Sequence, residues 1–154
     1  MGAVYFYHLT QRPLEATLPV LLDRARGQNW RVEVRGTSED RIRWLDEKLW
    51  LGAEDGFLPH GVAGGAHDAL QPILLNAGSN PCDAAECLIC IDGAAPKPDE
   101  VNTSARVCIL FDGHDVDAVA VARGQWKTLT DAGCEAQYWS EESGRWEKKA
   151  EANT

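Results

Sequence analysis

The spacing of apolar residues alternates along the chain between a period of two and a period near 3.6, and this alternation limits the folds open to it more than any other feature. "VYFYHL" (Val4 to Leu9) is β-branched and aromatic and is closed by Thr-Gln-Arg-Pro, which reads as a buried strand. "LPVLLDRARG" then puts Leu18, Leu21 and Leu22 on one face of a helix, with Gly27 as its stop. Pro19 is expected in the first turn of that helix, where its missing N–H costs nothing. "WRVEVRG" (Trp30 to Gly36) alternates as a second strand. "TSEDRIRWLDEKLW" offers Ser38 as N-cap, Glu39 and Asp40 at the positive end of the helix dipole, and Ile42, Leu45 and Leu49 as an inward stripe. Trp44 falls on the opposite side of that helix and Trp50 near its end, so this region carries more apolar surface than its core stripe requires.

Further strands are expected at "GFLPH", "PILLN", "CLICIDG" and "ARVCILFDG", with one helical turn in the Pro-punctuated connection "AAPKPDEVNTS". A last helix runs from Val116 to Asp131 behind the acidic turn "DGHD". "CEAQYWSEESGRWEKK" forms a last strand or hairpin, and residues 150–154 form a flexible tail. Strands and helices alternate early and late, which indicates an α/β protein with helices on the faces of its sheet. A chain of 154 residues fits one domain, here residues 1–149.

The formal net charge of -9 weighs against strong direct binding of nucleic acid, which needs a dense Lys/Arg footprint. No apolar run is long enough to span a bilayer, and the N-terminal stretch lacks the pattern of a secretory signal, so a cytoplasmic protein is expected. The five cysteines read as thiols and not as a disulfide framework.

Three stretches invite a chemical reading. Cys87 and Cys90 form a C-x-x-C with Cys82 upstream and His60 and His67 nearby in sequence. In a strand, however, positions three apart point to opposite faces, so packing is favoured over a zinc site. "GVAGGAHD" is glycine-rich but lacks the Lys and Ser/Thr of a phosphate-binding loop. Asp112, His114, Asp115 and Asp117 precede a helix, where capping is their expected role. The rival reading is a small nucleotide-binding or hydrolase-like α/β enzyme using that loop and Asp112, Asp115 and Asp117. No catalytic constellation, metal or cofactor is assigned.

The last helix says more. At 100° per residue, Ala118, Ala122 and Leu129 face inward, Val119 and Trp126 lie at the margin, and Arg123 and Lys127 fall just beyond it. With Phe111 as a floor, this is a shallow pocket for a peptide that carries carboxylates and ends in an aromatic residue. The alternative is that Trp126 packs at a helix edge while the two cations snorkel over it.

"WLDEKLWLGAEDGFLPHGVAG" (residues 44–64) resembles the central motif of the chi subunit family of bacterial DNA polymerase III. "CILFDGHDVDAVAVARGQWKTLTDAG" resembles that family's C-terminal strand and helix, and "VYFYHL" its first strand. The resemblance implies a Rossmann-like three-layer sandwich, a mostly parallel mixed sheet flanked by helices, and a non-catalytic adaptor. It also implies two partners. The psi subunit of the clamp loader would meet Trp50, Phe57, Pro59 and His60, and the acidic C-terminal tail of single-stranded-DNA-binding protein would meet Phe111, Arg123, Trp126 and Lys127. Where psi is lacking, the first face suits another partner such as a helicase. Val119 stands where some members of the family have a basic residue, which implies altered tail binding.

Overall fold

A computed structural model of the chain describes residues 3–11, 13–51, 60–62, 72–77, 86–141 and 145–153, with the backbone alone at 50–51 and 60–62. β1 (Ala3–Leu9) leads into α1 (Leu14–Gly27), followed by β2 (Val32–Arg35) and α2 (Glu39–Leu51). β3 (His60–Val62), β4 (Ile73–Asn76) and β5 (Cys87–Cys90) come next, then α3 (Pro98–Thr103), β6 (Arg106–Asp112), α4 (Val116–Asp131), β7 (Glu135–Ser140) and β8 (Glu147–Ala152). The strands form one sheet in the order β3-β4-β2-β5-β6-β1-β7-β8. Every described pairing is parallel except the last, in which β8 runs antiparallel to β7. The fold is α/β and compatible with a Rossmann-like sandwich.

The connections explain the layers. The crossover through α1 leads from β1 towards β2, whereas the crossover through α4 leads from β6 past β1 to β7. Right-handed crossovers in opposite directions place their helices on opposite faces. The cores agree. Leu18, Leu22, Ile42 and Leu45 of α1 and α2 pack with Leu9, Val34, Ile89 and Leu110 on one face. Ala122 and Leu129 of α4 and Val101 of α3 pack with Val4, Phe6, Leu88 and Ile109 on the other. The inward stripe expected for α2 is buried as expected, with Ile42, Leu45 and Leu49 at 1%, 1% and 3% exposure.

Several local expectations are corrected. α1 begins at Leu14, so Pro19 lies inside the helix and not in its first turn. Pro13 occupies the N-cap position and Glu15 the first turn, and the helix accepts the loss of the one hydrogen bond that Pro19 cannot donate. β2 is buried on both faces although Glu33 and Arg35 alternate with Val32 and Val34. The pair is internal because Arg35 Nε donates to Glu33 Oε2 at 3.0 Å and its Nη2 to Glu100 Oε2 of α3 at 2.6 Å. Asn76 Nδ2 donates to the same Glu33 oxygen at 3.3 Å. Trp44, expected on the far side of α2, is half-buried against the α1/α2 core, with the Arg41 guanidinium 4.3 Å from its ring. Residues 150–152 of the expected tail complete β8, and Asn153 Nδ2 donates to the carbonyls of Thr130 and Cys134 at 3.0 and 2.9 Å. Of "GFLPH", only His60 is described, and it opens β3.

Candidate functional site

The cysteines of the C-x-x-C part company in β5. Cys87 belongs to the α1/α2 core and Cys90 to the α3/α4 core, so the two thiols cannot share a metal ion. Burial pushes the Cys90 thiol well above its ordinary range, which keeps it protonated. Cys108 is raised as well, by its hydrogen bond with Cys87 and by burial. Cys82, His67 and residues 63–68 of the glycine-rich loop lie outside the described residues.

The acidic turn before α4 spends its carboxylates on the backbone. Asp115 Oδ1 accepts from the N–H groups of Asp117 and Ala118 at 3.0 and 3.2 Å, capping the helix. Asp112 Oδ1 accepts from the N–H of His114 at 2.9 Å. Below them, at the C-terminal ends of β1, β5 and β6, lies a cleft of about 880 Å3. This is where the crossovers diverge, and open α/β sheets commonly bind ligands at such a point. Asp92, Asp112, Asp115, Asp117 and Glu15 line it, while Arg41 is held by Asp92 at 3.0 Å. Such walls repel phosphate, so the cleft does not favour a nucleotide.

On its β7 side, α4 presents a different surface. Ala122 and Leu129 are buried, Ala118, Val119 and Trp126 are half-buried, and Arg123 and Lys127 are exposed, as the helical spacing predicts. Neither cation has an ion-pair partner among the described residues. Trp126 meets Phe6 edge-on at 5.2 Å and Tyr138 at 6.1 Å. Phe111 is buried, at 7% exposure, and stacks on His8 at 5.1 Å. Its ring contact towards Trp126 is through Tyr138, 6.0 Å away. Phe111 and Trp126 thus belong to the same core and are linked through Tyr138, while Arg123 and Lys127 lie exposed on the same helix. Sequence reasoning missed Tyr138 and His8, which complete the cluster. The signal for His8 was its period-two spacing from Phe6; Tyr138 required knowing that β7 lies beside β1.

The second expected face is only partly described. Trp50 and Leu51 close α2, His60 opens β3, and α2 packs against β3. The side chains of Trp50 and His60, and Phe57 and Pro59 altogether, lie outside the described residues.

No curated protein matches the chain. A family model does: "DNA polymerase III chi subunit, HolC" matches residues 1–137 of the 154. With its α/β sheet and the strand and helix that carry Phe111 to Lys127 inside that match, the chain belongs to the family of DNA polymerase III chi subunits, non-catalytic accessory subunits of the polymerase that replicates DNA.

Proposed function

We propose that this chi-family chain is an adaptor that holds the clamp loader, through a psi subunit, to the acidic C-terminal tail of single-stranded-DNA-binding protein. The observation that carries the tail assignment is the surface of α4, where two exposed cations with no carboxylate partner among the described residues flank a half-buried Trp126 in a protein of net charge -9. Exposed cations beside an apolar wall suit a peptide that brings its own carboxylates and an aromatic end. Trp50, Phe57, Pro59 and His60 serve psi in this reading, which rests on the family resemblance of the central motif. Two modest contacts joined by tethers then act at high effective concentration, so retention at the fork needs neither to be tight.

The deciding experiment is fluorescence anisotropy of a labelled acidic peptide ending in Phe, titrated with the full chain across a salt series. Saturable binding that weakens with salt is expected. Arg123→Ala should weaken it about tenfold, the scale of one charge-assisted hydrogen bond. An unchanged affinity in that variant, or no binding by the parent chain at low salt, would defeat the assignment.

A further inference from the structure

Of the described residues assigned to the two proposed docking faces, only Phe111 lines the cleft at the C-terminal ends of β1, β5 and β6. The cleft lies between the starts of α1 and α4, which cover opposite faces of the sheet. In an open parallel sheet this place offers the bare N–H groups of helix N-termini, and anions bind there. Here each helix start brings its own acid, Glu15 in the first turn of α1 and Asp117 in that of α4, behind the capping Asp115. The usual sign is therefore inverted: among the described residues, five carboxylates line the cleft against one guanidinium, that of Arg41. Apolar groups line it as well: Leu9, Leu110, Phe111 and Ala122, all buried, and the more open Trp44 and Val121.

One guanidinium is already held in this cleft, and the manner of its binding shows what the walls recognise. Arg41 donates through Nε to Asp92 Oδ2 at 3.0 Å and through Nη2 to Oδ1 at 3.3 Å, while its guanidinium carbon stands 4.3 Å from the centre of the Trp44 ring. A two-pronged carboxylate contact combined with an aromatic face suits a flat cation better than a compact ammonium group. The other four carboxylates have no such match. Asp112 and Asp115 accept from backbone N–H groups through Oδ1, and Glu15 and Asp117 have no partner among the described residues. On the β1 side of the cleft, Thr10 Oγ1 is buried without a hydrogen-bond partner among the described residues, an unmet polar group that a ligand can satisfy.

We propose that the cleft receives an arginine-bearing segment of a partner protein. The guanidinium of that arginine meets the unmatched carboxylates of Glu15 and Asp117, and its methylene stem lies on the apolar lining. The sign of the cleft excludes an acidic tail, so α4 sorts two partners by charge: acids at its start face the cleft, while Arg123 and Lys127 stand further along the helix. The inference does not rest on the adaptor reading.

The test is anisotropy of three labelled peptides, with Arg, Lys or Glu at the same positions of an otherwise Gly-Ser sequence, titrated with the full chain at low salt. The Arg peptide should bind saturably and about fivefold tighter than the Lys peptide, the scale of a cation–π contact, and the Glu peptide should not bind. Glu15→Gln with Asp117→Asn should weaken the Arg peptide about tenfold, two exposed ion pairs at roughly threefold each, while the circular dichroism stays that of the parent. Asp131→Asn with Glu135→Gln, which removes two charges at the other end of α4, should change its affinity less than twofold. Val121→Arg, at an exposed position lining the cleft, should place a guanidinium there in cis and lower affinity severalfold. Equal losses in the two double variants would show attraction to net charge alone, and equal affinity for the Lys peptide would deny the preference for a flat cation. Spermidine displacing the Arg peptide at lower concentration than the unlabelled peptide does would make this a polyamine site. Each of these results overturns the proposal, as does a Val121→Arg variant that binds like the parent or a parent chain that does not bind. Binding of the acidic peptide should be the same in Glu15→Gln with Asp117→Asn as in the parent, so the failure of one reading leaves the other testable.

Discussion

Arg35 stands at the centre of the described polar network inside the sheet. Its guanidinium holds Glu33 on its own strand and grips both oxygens of Glu100 in α3, at 2.9 and 2.6 Å. Glu100 in turn accepts from the backbone N–H of Lys97 at 2.9 Å, so one carboxylate both closes the N-terminus of α3 and anchors it to β2. The Arg35 contact is the main reason that the Glu100 carboxyl is held below its ordinary range. Because the folded value is the lower one, the stability it contributes is present above the unfolded value and is lost as pH falls through the folded value. Glu100→Gln should therefore cost about 1–2 kcal/mol at neutral pH. Urea unfolding at a series of pH values should show the gap between the two proteins closing in acid, where the parent carboxyl is also neutral. A gap that stays constant into acid would mean that the charge contributes nothing. The sequence showed only a Glu and an Arg alternating with valines; that both are inside depended on α3 bringing a third charge from residue 100.

At the scale of elements, α4 was legible nearly in full and α1 less so. α4 has a capping aspartate, a first-turn acid and an apolar stripe at one spacing, so local and tertiary preferences agree. Asp115→Ala should remove the cap that satisfies two backbone N–H groups and cost about 1 kcal/mol, read as a lower Tm in a thermal melt. A Tm equal to that of the parent would show the turn to be held by Asp112 and the flanking strand alone. α1 starts earlier than its periodicity suggested because Leu14 and Glu15 are helical ahead of Pro19, and packing of Leu18 and Leu22 at 0% exposure outweighs one missing hydrogen bond. β8 was legible in part: the hairpin expected through Lys149 forms, but the strand runs on to Ala152. "EKKAEA" has no buried stripe, and it is a strand because β7 offers it an open edge while Asn153 ties its end to the C-terminus of α4. The same limit applied to the site: Trp126, Arg123 and Lys127 follow from helical spacing, but Tyr138 and His8 join them only through a strand order that no local pattern encodes.

For the whole molecule, that strand order sets how far apart the two proposed docking faces lie. β3, next to the end of α2 and the motif proposed to meet psi, is one edge of the sheet; β7 and β8, on the side of α4 proposed to receive the tail, are at the other. At about 4.8 Å between neighbouring strands, six intervals separate β3 from β7 by roughly 30 Å. α2 and α4 also lie on opposite faces. Two partners docked this far apart need not compete, and at that separation with no shared side chains their effects should be nearly additive. Saturating the chain with a psi subunit should therefore leave its Kd for the acidic peptide unchanged within about twofold, and Trp50→Ala should weaken psi binding without changing that Kd. Anisotropy of the labelled peptide, with and without saturating psi, checks both. A shift of tenfold or more would correspond to about 1.4 kcal/mol of coupling and would show that the sheet transmits one occupancy to the other site, making the chain a switch between its partners and not a passive tether.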